Sequence, residues 1–501
     1  MDMPILPSSL AWGIIAVFSV FWVLLAWWLG RNNNTLDDYM LAGRHVGFGF
    51  AVATAMATWV TSNTTMTAPQ LTYQLGIWGM VGYSLGAVGL LLFAPLAERI
   101  RAIMPHGMTS GDFIRLRWGK TTWRVFLVIS IFYSLGWLIS LGMAGGILIE
   151  ALSGIPYLYG MTVIIVICTL YTVYGGLKAV IGTDFVQTIL IMVGVVALAI
   201  MIMDKISFED IHSRLAEERP QLLNFLLPAS IMFLFNNLFF GVGEVFHSNV
   251  WWSRAFAFAP GIGKKAYALA GLFWLPVPIV AGFIALAAPA LNVNVPMPDM
   301  VAPLMASNMF GLTGAILVFV IVFAALASSL DSVLAATSDL VVKDIYKGHF
   351  RKNASEGELR KAAVWTILII GLVTWLLSVP RLATLGSLLH FTGAFVASAI
   401  WPIVIGLLMR KGSGTQATLA MVLGTGLGLF AYFEIGFYVA ALVSAIVSFL
   451  VMLPAMLGKD KYDWQDLNPE NNLKTTSDNN PGNNLRNNPG NNPGNNKEPQ
   501  L

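Results

Sequence analysis

Charge is scarce in this sequence: Asp, Glu, Lys and Arg make up 11% of its 501 residues, against 56% for apolar types. A soluble chain of this length needs far more charge to cover its surface, so the solvent for most of these side chains is lipid. Cysteine is nearly absent as well. The single Cys168 excludes an internal disulfide and any Cys-based metal site. The formal net charge is only +3, and the basic residues are dispersed over many short segments, which argues against a nucleic-acid partner. HExxH and a Cys–His pair are missing, so no catalytic constellation is visible and an enzyme is not expected.

What is abundant is long apolar sequence. Segments such as 10–29, 125–148, 184–203 and 366–379 approach or exceed the roughly 20 residues that cross a bilayer core. The first is rich in Trp, has no basic stretch before it and no small-residue cleavage pattern after it, and therefore reads as a retained helix rather than a signal peptide. Trp27 and Trp28 at its end suit an interfacial anchor. The apolar runs predict an all-α polytopic membrane protein of about thirteen transmembrane helices, the first at 9–30 and the last at 436–457.

Basic residues then fall in alternate loops. Arg99, Arg101, Arg115, Arg117, Lys120 and Arg124 cluster in one, Lys343, Lys347, Arg351, Lys352, Arg360 and Lys361 in another, and only Lys205, Arg214, Arg219 and Arg381 are left for the opposite side. The positive-inside rule makes the richer loops cytoplasmic, with the N-terminus outside the cell membrane and the C-terminus inside. Four regions follow: 1–46 (extracellular N-terminus, first helix, cytoplasmic loop), a transport core over 47–409, two peripheral helices over 410–457, and an Asn/Pro/Gly-rich cytoplasmic tail over 458–501. The tail has no apolar face to bury and is expected to be disordered.

Polar groups inside a span are costly, so the helices that carry them are where function is sought. Segment 47–73 holds Thr54, Thr58, Thr61, Ser62, Asn63, Thr64, Thr65 and Thr67, followed by Pro69, and is expected to be interrupted. Segment 226–253 holds Asn236, Asn237, Gly241, Gly243, Glu244, His247, Ser248 and Asn249, where a break would expose backbone to a ligand. The two lie five helices apart, as an inverted five-plus-five repeat requires. In segment 310–342, Ala325, Ser328, Ser329 and Ser332 share one face. That face suits either a hard cation or simply close helix packing. Asp184, Asp331 and Glu244 are acids inside or near spans; Asp184 has Lys178 as a conceivable partner and Glu244 has His247 three residues on.

The stretches YTVYGGLKAVIGTD (171–184), AALASSLDSVLAATSDLVVKDIY (324–346) and DDYMLAGR (37–44) resemble the sodium/solute symporter family, and the resemblance extends over roughly 9–457. It implies a LeuT-like inverted-repeat core and Na⁺ as coupling ion. By likeness to the family's sodium site, the carbonyls of Ala57, Val60 and Ala325 and the hydroxyls of Ser328 and Ser329 would hold Na⁺. Asp184 matches a family acid linked to a second cation site or exit route, and Asp331, beside Ser332, stands where some members have a hydroxyl. A cation, Na⁺ or a proton, would sit between the two acids.

Within the family the nearest likeness is to the urea active transporter branch, through Trp59, Thr64, Tyr73, Gly76 and the run GEVFHSNVWWSRAFA (243–257). A small polar solute held at the midplane is thus expected, urea or a similar small amide first. Asn249, Ser248, Thr61, Trp59 and Trp252 offer the amides, hydroxyls and flat walls that urea needs. Thr64, Glu244 and His247 complete the expected solute site. A cationic amine or polyamine, which Glu244 beside Trp would suit, remains the alternative, as do an amino acid, sugar or carboxylate. A membrane sensor without transport is the reading from another class, although the tail carries no kinase or receiver pattern. His390 is read as a packed, hydrogen-bonded histidine. Beyond the solute and lipid, no partner or oligomeric state is legible.

Overall fold

A computed structural model describes residues 5–31, 35–224, 226–460 and 462–464; the expected disordered tail lies outside the described residues from 465 onward. The described chain is helical throughout, with one isolated backbone bridge, Val46 to Phe258. Its principal elements are α1 (Ser8–Gly30), α2 (Phe48–Trp59), α3 (Ala68–Leu75), α4 (Lys120–Ser153), α5 (Tyr157–Lys205), α6 (Pro228–His247), α7 (Asn249–Ala257), α8 (Val301–Leu340) and α9 (Leu385–Ala397).

Eleven helices among the described residues are long and apolar enough to cross a membrane. The sequence reading gives thirteen, and the two differences have local causes. Segment 47–73 does not form one helix, because it is interrupted after Trp59. α5 runs for 49 residues; at a rise of about 1.5 Å per residue that is more than twice the roughly 30 Å of a bilayer core. It therefore turns partway, at Gly176, whose φ of 55° and ψ of −165° leave the helical region. A Cβ there would meet the Tyr39 carbonyl oxygen, so both conformation and space call for glycine.

α8 is the centre of the assembly. Its residues from Val318 to Leu340 are buried almost without exception, and small residues on facing helices let backbones approach. A Cβ on Gly145 of α4, for example, would press on Leu326. By contrast α1 and the span Glu356–Ser378 are 22% and 28% buried over their apolar windows, which puts them at the lipid-facing periphery.

Both ends of the bundle are tied by polar contacts. At one, Arg381 bonds Glu150 at 3.1 Å and Asp299 at 3.4 Å. At the other, Asp344 accepts from Thr109 Oγ1 at 2.7 Å and from Trp123 Nε1 at 2.9 Å. Arg115 and Lys343, which belong to the two basic segments, line one shallow pocket there, so these segments lie on the same face of the molecule.

Gly176→Ala should destabilise the folded protein by about 1–3 kcal/mol, the usual cost of a non-glycine residue forced into such a conformation. Thermal unfolding of the purified protein in detergent reads this as a lowered midpoint; an unchanged midpoint would mean the turn in α5 does not depend on glycine.

Candidate ion site and solute cavity

The interruption after α2 has a specific cause. Thr61 N–H donates to Thr64 Oγ1 at 3.2 Å, and Thr64 N–H donates to Thr61 Oγ1 at 3.0 Å. Each threonine hydroxyl thus captures an amide that a continuous helix would spend on the carbonyl four residues earlier. Those carbonyls belong to Ala57 and Val60. Pro69, expected to break this segment, instead sits in the first turn of α3, where its missing N–H costs least. A π-helical turn, Asn63–Thr67, joins the two halves.

α8 packs against the break. Ser329 Oγ donates toward the carbonyls of Thr58, at 3.2 Å, and Ala325, at 3.0 Å. Ser328 Oγ donates to Asp184 Oδ1. Ala57, Val60, Ala325, Ser328 and Ser329 are all fully buried. Buried carbonyls and hydroxyls with free lone pairs are the ligand type that a hard monovalent cation takes at an unwound helix.

The neighbouring acids are arranged differently from the expectation. Asp184 does not pair with Lys178. Its Oδ2 lies 3.2 Å from Nη2 of Arg254, with both side chains fully buried. Thr54 Oγ1 also donates to that oxygen, at 2.6 Å. Arg254 reaches Thr54 at 3.0 Å, the Val250 carbonyl at 3.1 Å, Thr58 at 2.7 Å and Ser332 at 2.7 Å. The sequence reading placed Arg254 among cytoplasmic loop charges, and the fold puts it on α7 in the protein interior. Ser332 is therefore an arginine ligand. Asp331 is fully buried, and neither of its oxygens has a hydrogen-bond partner among the described residues.

The second break is a single residue. Ser248, with φ −70° and ψ 131°, ends α6 and caps α7. Between the two breaks lies a small cavity. Its walls are the rings of Trp59, Tyr83, Tyr133, Trp137, Phe240 and Trp274, and its polar lining is Thr61, Asn63, Thr64, Asn237 and Glu244. Trp274 fixes the break to the wall by donating to the Trp59 carbonyl at 2.6 Å. Glu244 accepts from Trp251 Nε1 at 3.0 Å on both oxygens, and among the described residues no cation pairs with it. Trp59 Nε1 and Asn63 Nδ2 are buried donors without a partner among the described residues.

The model of the sodium:solute symporter family matches residues 39–424. The chain belongs to that family. Its curated relatives include the urea active transporter of Saccharomyces cerevisiae, 26% identical over 86% of this chain and 64% of that protein. They also include the probable urea active transporter 1 of Schizosaccharomyces pombe, 26% identical over 92% of this chain and 72% of that one. The osmoregulated proline transporter of Bacillus subtilis is 27% identical over 88% of this chain and 95% of its own length. The chain therefore spans just under two thirds of the yeast relative's length. Among solved structures, a Na⁺-coupled sialic acid symporter in a substrate-bound outward-open state superposes with a TM-score of 0.73 at 18% identity, covering 90% of this chain and 98% of that one. A nucleobase-cation-symport family transporter gives 0.57 at 13% identity, over 85% and 95%. The fold is thus the LeuT-like one, and a family of transporters excludes an enzyme.

In this symporter-family chain the expected solute residues divide. Trp59, Thr61, Thr64 and Glu244 line the cavity; His247, Ser248, Asn249 and Trp252 do not. His247 does not pair with Glu244, because its Nε2 faces Ser130 Oγ at 2.9 Å. Trp252 turns away into Phe93 and Phe113, its indole donating to the Phe246 carbonyl at 2.7 Å. Asn249 is a tie, accepting from Ser110 N–H at 2.9 Å and donating to the Ala336 carbonyl at 3.0 Å. The break at Ser248 resets the helical phase, so positions beyond it face helices rather than solute. His390 is packed, bonding the Gly386 carbonyl at 2.7 Å and Asn237 at 3.3 Å. Sequence reasoning missed Asn63, Tyr83, Tyr133, Trp137, Asn237, Phe240 and Trp274. Only Asn63 and Asn237 carried a signal, as amides in polar spans.

Asn249→Ala should leave the buried Ser110 amide unpaired, at about 1–3 kcal/mol. The expected result is a lowered thermal midpoint with an unchanged KM for solute. A raised KM at an unchanged midpoint would return Asn249 to the solute site.

Proposed function

We propose that this protein is a sodium-coupled secondary active symporter of the cell membrane that imports urea or a similar small amide. The observation that carries the solute is the set of polar groups facing one aromatic cavity: buried donors without partners on Trp59 and Asn63, and an acceptor carboxylate on Glu244. Urea is flat and neutral, with amide hydrogens on one side and a carbonyl on the other. Glu244 takes the hydrogens, Trp59 Nε1 and Asn63 Nδ2 meet the carbonyl, and the rings cover the faces. A site built from buried polar groups selects strongly, because the wrong solute leaves them unpaired. The names of the yeast relatives support the same class.

An amino acid or other carboxylate fits less well, since the lining contains Glu244 and no Lys or Arg to receive a second negative charge. A small cationic amine is the second reading, favoured by one observation: Glu244 is a buried carboxylate without a cation, surrounded by aromatic faces.

Sodium enters the reading through the carbonyls of Ala57, Val60 and Ala325 and the hydroxyls of Ser328 and Ser329. Cation binding there ties α8 to the interrupted helix that also carries Trp59, Thr61 and Thr64, so ion and solute each favour the same packing of the break. Their affinities are then reciprocally linked. Residues 47–409 form the transport core of this reading and 410–457 its peripheral helices. The shared basic face of Arg115 and Lys343 supports a cytoplasmic C-terminus with the N-terminus outside.

Ser328→Ala combined with Ser329→Ala should abolish sodium-driven accumulation in proteoliposomes; undiminished sodium-dependent uptake by that variant would refute the site.

The solute is tested by thermal stabilisation of the purified protein with urea, small amines, quaternary amines, proline and sugars, in Na⁺ against K⁺. Urea is expected to stabilise in Na⁺ alone. Stabilisation by amines and not urea selects the second reading. A response only to proline or a sugar overturns both solutes and leaves sodium coupling standing.

A further inference from the structure

A guanidinium occupies the place beside Asp184 where a second coupling ion was expected. Arg254 is fully buried and is held by Asp184, Thr54, Thr58, Ser332 and the Val250 carbonyl. The same hydroxyls and carboxylate would otherwise be the natural oxygen ligands of a cation. We infer that Arg254 is a tethered cation that replaces a second sodium ion, so that this protein binds and moves one Na⁺ per cycle.

The guanidinium already takes oxygens of Asp184, Thr54, Thr58 and Ser332, so a second Na⁺ among them would stand beside a fixed positive charge in a low-dielectric interior, which is costly. The arginine is a fixed part of α7 and cannot dissociate, so it contributes charge without contributing to the stoichiometry. Its planar fork also holds groups of α2, α5 and α8 in one arrangement, a role that a mobile ion would fill only when bound.

This inference rests on the sodium site proposed above, and the test separates the two. Binding of radiolabelled Na⁺ to the purified full-length protein should give one ion per chain, abolished by Ser329→Ala, with a Hill coefficient of about 1 for Na⁺ in transport. Arg254→Gln removes the tethered charge and should raise the count to two ions per chain. Adding Asp184→Asn to that variant should return it to one. Arg254→Lys keeps the charge and should bind one ion, like the parent.

Two ions bound by the parent protein, one of them lost in Asp184→Asn, would overturn the inference while leaving the sodium site intact. So would a folded Arg254→Gln variant that still binds one. Should that variant fail to fold, the parent count and Arg254→Lys decide the matter, two ions in either being fatal. Absence of any ion sensitive to Ser329→Ala would instead sink the sodium site itself.

Discussion

In hydrocarbon an amide or carbonyl without a partner costs several kcal/mol, and water is not available to take it. The rest of this structure is arranged around that constraint at two places, the interruption after Trp59 and the interruption at Ser248. At the first, Thr61 and Thr64 exchange amide and hydroxyl bonds with each other, which keeps both amides paired and releases the Ala57 and Val60 carbonyls. Trp274 and Ser329 then reach the neighbouring carbonyls of Trp59 and Thr58 from other helices. At the second, one capping serine ends a helix and begins another. An irregular backbone is tolerated at membrane depth only when it is enclosed by protein in this way.

The short helix α7 links the two chemistries. Trp251 and Arg254 are three residues apart and share one helix face. Trp251 holds Glu244, a wall of the solute cavity, and its ring meets Trp59 edge-on at 5.3 Å. Arg254 holds Asp184, Thr58 and Ser332. A displacement of this helix therefore acts on the aromatic cavity and on the polar cluster together, without any contact between solute and ion. The central helix α8 is nearly all buried and carries Ser328 and Ser329 as well as Ser332, which bonds Arg254.

How much of this was legible in the sequence varied with the range of the interaction. Polar side chains in the apolar segments 47–73 and 226–253 marked both broken helices, because their cost in lipid is a property of the residue and its immediate span. The serine face of 325–332 was legible through helical periodicity. Pro69 was a misleading signal: the break was set nine residues earlier, by hydroxyls competing for backbone amides. Arg254 was mistaken for a loop charge because nothing local distinguishes a snorkelling arginine from one that a distant carboxylate has drawn inside. Trp137 and Trp274 carried no signal, since an aromatic residue lining a cavity is the same in sequence as one facing lipid.

By itself, then, the sequence determined that the chain lives in a membrane as a helical protein, which helices are interrupted, and which family motifs it bears. All of these follow from composition and periodicity over a few turns. Only the tertiary structure decided which side chains meet across the breaks: that Asp184 finds Arg254 rather than Lys178, that Glu244 faces aromatic rings rather than His247, and that Asn249 and Trp252 serve packing. Those choices depend on the direction in which each half-helix leaves its break. A single residue in a non-helical conformation rotates every side chain that follows, so the partners are set by contacts between residues far apart in the chain.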